Sequence, residues 1–309
     1  MKISRRMFSA VAVSAILAGC ASGNIEMSKN MGNPLLTKSQ NAHGIESFDV
    51  LTVDNYREAM EQGMLQQKAE IAAIVNNKKA PTFENTIVAL DKSGKLLEKA
   101  EMTFDPLDNS NSTKETQALS SEMSPLLSAH NDDIYMNPAL FERVKKVYDD
   151  MPADLTHEQK KVVEKIYKRF ERNGSNLSDA DKERLRQLNL EISALQVQFS
   201  QNLLYETNNT FVVVDKLEDL AGLPQANIDR AADMAKAQGE EGKWMFNMQR
   251  ASCNPVLQYC SNRELRRRVY EAYYNRGNAG NEHDSNEICA KLVKLRLERA
   301  KLMGFDNCA

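Results

Sequence analysis

Four histidines supply all the imidazole in this chain: His43, His130, His157 and His283. A hydrolytic zinc site built on one helix needs two histidines at i and i+4, so that one face presents both nitrogens. A Glu beside the first then activates the metal-bound water. No two of these histidines are four apart. His157-Glu158-Gln159-Lys160-Lys161 begins the pattern, but Lys161 stands where the second ligand belongs, and a protonated ammonium has no lone pair to give. The pair reads instead as the first turn of a helix, where the Glu158 carboxylate suits the positive end of the dipole. His43 falls in a polar stretch near the N-terminus. His130 reads as part of a polar turn with Asn131, Asp132 and Asp133, and His283 adjoins Asp284, with which it could pair. There is no G-x-S-x-G elbow, no P-loop and no dinucleotide fingerprint. The sequence therefore nominates no catalytic residue and no metal ligand.

Cys20 is the one residue to which the sequence assigns a covalent role. Lys2, Arg5 and Arg6 precede an apolar run from Phe8 to Leu17, which is too short to span a bilayer as a helix and ends in Leu17-Ala18-Gly19-Cys20. That order is the bacterial lipobox. Residues 1–19 are expected to be a lipoprotein signal peptide, with Cys20 lipidated and the mature chain held at a membrane by its acyl chains. Ser4-Arg5-Arg6-Met7-Phe8 resembles a twin-arginine export signal, but two arginines are common at an ordinary signal start, so the general secretory route is the one expected. Residues 20–44, rich in Ser, Asn, Gly and Lys, read as a flexible tether, and residues 45–309 as the folded region. The expected location is an exported, membrane-anchored lipoprotein facing the periplasm; Ala21 and Ser22 after the lipobox favour the outer membrane. The other cysteines (Cys253, Cys260, Cys289 and Cys308) match no zinc or redox spacing, though Cys253 and Cys260 could pair in an exported protein.

The elements that must position any chemistry read as helices. Charged residues make up 27% of the chain and hydrophobic ones 42%, with 13 Gly and 8 Pro in 309 residues, which is a globular, helix-favouring balance. Net charge is -3, and losing Lys2, Arg5 and Arg6 makes it more negative still, so a nucleic-acid partner is not expected. The densest positive run, Arg266-Arg267-Arg268, reads as a solvated helix face carrying ion pairs. Asp54 is a candidate helix cap, as is Thr82 after Pro81, with Ile87, Leu90 and Leu97 facing inward. Asn137-Pro138 starts a helix, Thr156 with Gln159 forms a capping box, and Asn173-Gly174 stops that helix. Ser178 opens a long helix with Leu185, Leu188, Ile192, Leu195, Phe199 and Leu203 along one side. Phe211-Val212-Val213-Val214 and Trp244-Met245-Phe246 read as two strands of a small hairpin element. Helices resume over 262–276 and 284–303. The fold class expected is mainly α.

Several segments, in this order, resemble one peptidase family. Pro81-Thr82-Phe83-Glu84-Asn85-Thr86, then Phe170-Glu171-Arg172-Asn173-Gly174, then Phe199-Ser200-Gln201-Asn202 are similar to segments of the thimet oligopeptidase, oligopeptidase A and bacterial peptidyl-dipeptidase family. So are Leu220-Ala221-Gly222-Leu223-Pro224, Arg263-Glu264-Leu265-Arg266, and Leu295-Arg296 followed by Ala300-Lys301-Leu302-Met303-Gly304-Phe305. The resemblance implies a mostly helical, two-lobed, channel-type zinc metallopeptidase acting on short peptides, with this chain matching the N-terminal half. It implies zinc in the full-length protein, and no cofactor for this chain alone. Lacking H-E-x-x-H, the chain by itself is expected to be inactive, and the complete protein is expected to remove C-terminal dipeptides. The family usually has an aromatic where Cys308 stands, so the resemblance weakens at the last residues. The alternative expectation is a lipid-anchored helical scaffold that binds peptides without cutting them.

Overall fold

The computed structural model describes residues 32–308; Cys20 and the signal peptide lie outside them. Helices run through nearly the whole described chain. In order they are α1 (Val53–Val75), a single π-helical stretch (Phe83–Val88) leading into α2 (Ala89–Asp91), α3 (Lys95–Ser110), α4 (Lys114–Tyr135), α5 (Pro138–Asp149), α6 (His157–Arg172) and α7 (Asp179–Asn209). Strand β1 (Phe211–Val214), α8 (Gln225–Ala237), β2 (Trp244–Asn247), α9 (Arg250–Tyr259), α10 (Arg263–Tyr274) and α11 (Asn286–Leu302) follow. No described helix is long and apolar enough to cross a membrane.

Most starts are made by short polar side chains that satisfy orphan backbone N–H groups. One device recurs four times. The hydroxyls of Thr52, Thr82, Thr113 and Thr156 accept from the backbone three residues on, and Asn55, Asn85, Thr116 and Gln159 answer by accepting from the cap's own N–H. The first helix is therefore capped by Thr52, not by Asp54, which sits in the first turn: only Thr52 has both the extended backbone and a reciprocal partner at the third position. Asn137, with Pro138 behind it, and Ser178 cap α5 and α7 as their sequences indicate. Gly174 closes α6 in the left-handed conformation, with the Ser175 N–H donating back to the Phe170 carbonyl at 3.1 Å.

Four apolar clusters fill the body. Leu35, Tyr56, Met60, Leu97, Phe104 and Met123 join α1, α3 and the first half of α4. Ile71, Ile87, Leu140, Val144, Val163 and Phe170 join the end of α1 to α5 and α6. Leu188, Ile192, Ile288 and Leu292 seal α7 to α11. The last cluster lies under the strands and α8 to α10, around Val212, Leu220, Phe246, Val256 and Leu265. At 31 residues, α7 is about 46 Å long, and it touches α4 on one side and α11 on the other.

Two expectations are adjusted by this packing. Leu35, within the stretch read as a tether to residue 44, is fully buried, and Lys99 Nζ donates to the carbonyls of Leu35 (3.0 Å) and Thr37 (2.7 Å). Asn33 and Leu35 therefore pack against the body, while residues 40–45 are exposed. The two strands do pair antiparallel, Phe211 opposite Asn247 and Val214 opposite Trp244. Their connection is not a tight turn: it runs through residues 215–243 and includes α8, which packs on β2.

Candidate functional site

Among the described residues a polar-lined cavity of about 390 Å³ lies among α1, α3, α4 and α6. His130 forms part of its wall. The residue is 5% exposed and lies within α4, not in a polar turn. Leu119, Met123, His130 and Ile134 recur at helical spacing on the buried side of α4, which carries the imidazole inward with its apolar neighbours. That spacing was the available signal; the adjacent Asn-Asp-Asp run obscured it. His130 Nε2 lies 2.7 Å from Gln67 Oε1 on α1, and Nδ1 is buried without a partner. Burial, and then the positive charge of Lys68, lowers the His130 pKa, so the ring is neutral; Nε2–H donates to Gln67 and Nδ1 keeps a free lone pair.

Across the cavity, α3 contributes Glu98 and Glu101, one turn apart. Glu98 is taken by Lys95 at 2.6 Å. The Glu101 carboxyl is pushed up, first by burial and then by the like charges of Asp105 and Glu98. Arg169 of α6 lies over the Tyr135 ring at 4.4 Å. Glu101, His130 and Arg169 thus line the cavity from three helices, with His130 Nδ1 itself closed off from solvent.

Behind this wall runs a second polar seam. Asp132, one residue inward from Asn131 and 2% exposed, accepts from Asn189 Nδ2 of α7 at 2.8 Å. Burial raises its pKa to about 6, against the pull of that hydrogen bond and of Arg186 and Arg299. Further along α7, the buried Glu206 accepts from the Gly277 N–H (3.0 Å) and from Asn281 Nδ2 (2.6 Å), tying the loop before α11 to the long helix. His283 belongs to this loop and stacks on Tyr205, with centroids 3.6 Å apart. It does not pair with Asp284, whose carboxylate accepts instead from the backbone of Gly280 and Asn286.

The remaining sequence candidates are dispersed. His43 sits in an exposed turn, and His157 with Glu158 opens α6. Hydrogen bonds from its own backbone N–H and the Thr156 hydroxyl lower the Glu158 pKa. Arg267 pairs with Glu264 and Glu271, while Arg266 and Arg268 donate to the carbonyls of Cys260 and Val213. Cys253 and Cys260 are buried free thiols with separate partners, Met248 and Asp219 carbonyls respectively. No group of three or more His, Cys, Asp or Glu stands together to hold a metal ion among the described residues, so these residues do not fit a zinc site.

The segments that carry the family resemblance build the scaffold. Arg143, 9% exposed, reaches from α5 to the carbonyl of Asn77 (2.9 Å) and to Asn85 Oδ1 (3.2 Å) within the Pro81–Thr86 segment. Gly222 (φ 92°) lies against the Tyr259 carbonyl so closely that a Cβ there would meet it at 2.3 Å, and the Ser261 N–H donates to the Ala221 carbonyl at 2.7 Å. Gly304 (φ 84°) ends α11, with the Phe305 N–H returning to the Ala300 carbonyl at 2.9 Å.

Comparison with known proteins places these segments together. Residues 256–309 match peptidase family M3. Over 278 residues the chain is 36% identical to the dipeptidyl carboxypeptidase of Salmonella typhimurium and 34% identical to that of Escherichia coli. Over 289 residues it is 30% identical to oligopeptidase A of Haemophilus influenzae. Each match takes in 90% of this chain and 41% of the relative. The chain is thus related to the M3 peptidases across nine-tenths of its own length, and it spans about two-fifths of theirs, the N-terminal part.

Proposed function

We propose that the complete protein is a zinc peptidase that removes dipeptides from the C-termini of short peptides, and that the helical body described above is the lobe that shapes its substrate channel. The observation that carries this reading is the 36% identity to a dipeptidyl carboxypeptidase across 90% of the chain. Zinc and the H-E-x-x-H helix that holds it belong, on this reading, to the part of the relatives' length that the chain does not match. Residues 1–309 alone then do not hydrolyse peptides. The residues here do structural work: they cap helices, bury the Phe170 and Leu188 stripes and hold the lobe rigid against its partner lobe. Expression of the uninterrupted reading frame tests it. Stoichiometric zinc and release of dipeptides from N-blocked tetrapeptides are expected; a metal-free product, or one that cuts only internal bonds, would overturn the assignment.

The lipobox supports the proposed address, an exported lipoprotein anchored at Cys20 and facing the periplasm from the outer membrane. Cys20→Ser is expected to abolish incorporation of labelled palmitate and to move the protein from the membrane to the soluble fraction. Unchanged labelling would remove Cys20 as the anchor.

A further inference from the structure

The groove between the N-terminal segment and α3 has a floor but no cover. Its volume is about 670 Å³, and Leu35, Leu36, Ile45, Phe48 and Met102 are among the side chains that line it. Leu35 is fully buried in the core below, whereas Ile45 is 59% exposed, Phe48 44% and Met102 68%. Single exposed apolar side chains are ordinary, but three around one groove mark a surface that meets an apolar partner. Polar contacts hold the loop that carries two of them. Lys99 Nζ donates to the Thr37 carbonyl at 2.7 Å and pairs with the buried Glu46 carboxylate at 2.8 Å. The Ser39 hydroxyl and Asn41 Nδ2 donate to the Ile45 carbonyl at 2.7 and 3.0 Å. With Glu46 drawn inward to Lys99, Ile45 and Phe48 on either side of it stay at the surface. Two lysines of the lining, Lys95 and Lys99, are paired with Glu98 and Glu46, so the groove offers apolar contact rather than a charged patch.

We propose that this groove is the face on which the lobe rests on a lipid bilayer, with Ile45, Phe48 and Met102 entering the boundary between headgroups and acyl chains. The inference rests on the proposed Cys20 anchor and adds an orientation to it. Thirteen positions separate Cys20 from Asn33, the first buried residue of the described chain. Fully extended, they span no more than about 45 Å. A lipidated Cys20 therefore keeps the body within about that distance of the bilayer, and the chain coming from the anchor reaches this groove first, through Leu35 and Leu36. Tethering raises the effective concentration of lipid at the groove, so weak apolar contacts suffice. The acyl chains supply the affinity, and the three side chains decide which face turns to the membrane. A second copy of the chain would have to displace a bilayer that the anchor already brings to hand.

The test is fluorescence quenching in the complete, lipidated protein carrying Phe48→Trp. It is reconstituted into vesicles of phosphatidylethanolamine and phosphatidylglycerol, with plain or brominated acyl chains. The parent, which contains Trp244, gives the background to subtract. Brominated lipid is expected to remove about half of the added fluorescence, as for a ring seated in the interface. Leu217→Trp, at a side chain 53% exposed beside the strands, is expected to lose none. Adding Ile45→Glu and Met102→Glu to Phe48→Trp is expected to restore the fluorescence. All the substituted side chains are exposed, and melting temperatures within a few degrees of the parent check that the variants fold. Palmitate incorporation, measured alongside, reports separately on the anchor: labelled but unquenched protein would overturn the docking face and leave the anchor standing, whereas unlabelled protein would overturn both. Equal quenching at positions 48 and 217, or quenching that survives the two glutamates, would also overturn the proposal. So would protection of the position 48 tryptophan from acrylamide without quenching by lipid, which would assign the groove to a protein contact.

Discussion

Asp132 shows how one buried carboxyl can set the pH response of a helical lobe. Its pKa is raised to about 6 from an ordinary 3.8, with burial as the first cause. Between those values the folded state binds a proton that the unfolded state does not, so stability falls as pH rises through the window and levels off above it. At about 1.4 kcal/mol per unit, the loss is at most about 3 kcal/mol. Asp132→Asn keeps the acceptor for Asn189 and removes the charge. Urea midpoints from pH 4.5 to 7.5 are expected to decline for the parent and to be flatter for the variant, which gains at neutral pH. Arg143 presents the opposite case, a buried cation held by carbonyl and amide oxygens with its Nε unpaired. Arg143→Met leaves the Asn77 carbonyl without this donor inside the packing, and is expected to cost about 2–4 kcal/mol in chemical denaturation. Lysine should not rescue it, since one ammonium cannot span the contacts that the guanidinium fork reaches.

At the scale of elements, α1 and α3 approach each other closely. A Cβ on Gly63 would lie 2.7 Å from Leu97 Cα, so the helices meet there backbone to backbone. Alanine at this position gains roughly 1 kcal/mol in helix propensity. Forcing the two backbones apart costs about 1–3 kcal/mol. Overpacking wins because the obstructing atom is main chain and cannot rotate away, so Gly63→Ala is expected to lower the melting temperature. Helix starts at Thr82, Asn137, Thr156 and Ser178 were legible in the sequence, because capping is decided within four residues, whereas the equivalent Thr113–Thr116 box that opens α4 was passed over. The choice of Thr52 over Asp54 is of the same local kind, since the Asn that answers Thr52 lies three residues on. The inward turn of His130 was less legible, because only the packing of α4 against α1 shows which face of a mixed-polarity helix is buried.

Across the whole molecule, the strands with α8 to α10 enclose their own core, and their links to the earlier helices pass through α7 and the loop before α11. Glu206 is the latch of that loop, with both carboxylate oxygens engaged. Glu206→Ala is expected to cost about 2–4 kcal/mol, because two donors lose their acceptor inside the structure. Native-state hydrogen exchange should show amides of residues 275–285 and of the strand module opening together, while those of α1 to α6 keep their protection. Uniform loss of protection would mean that the molecule unfolds as one unit and that the latch is not local.

The sequence alone determined the helical class, the starts of α5, α6 and α7, the strand pair and the resemblance to one peptidase family. Each of these depends on local spacing or on an ordered set of short segments, which a linear string carries in full. Tertiary structure decided what those segments do. The Pro81–Thr86 motif proved to be a binding partner for Arg143, Gly222 a close approach to the Tyr259 carbonyl, and the stretch around Leu35 part of the core. It also gathered Gln67, Glu101, His130 and Arg169 from four helices around one cavity. Their distance along the chain hides that grouping, because a helix fixes which face a side chain occupies but not which other helix will cover it.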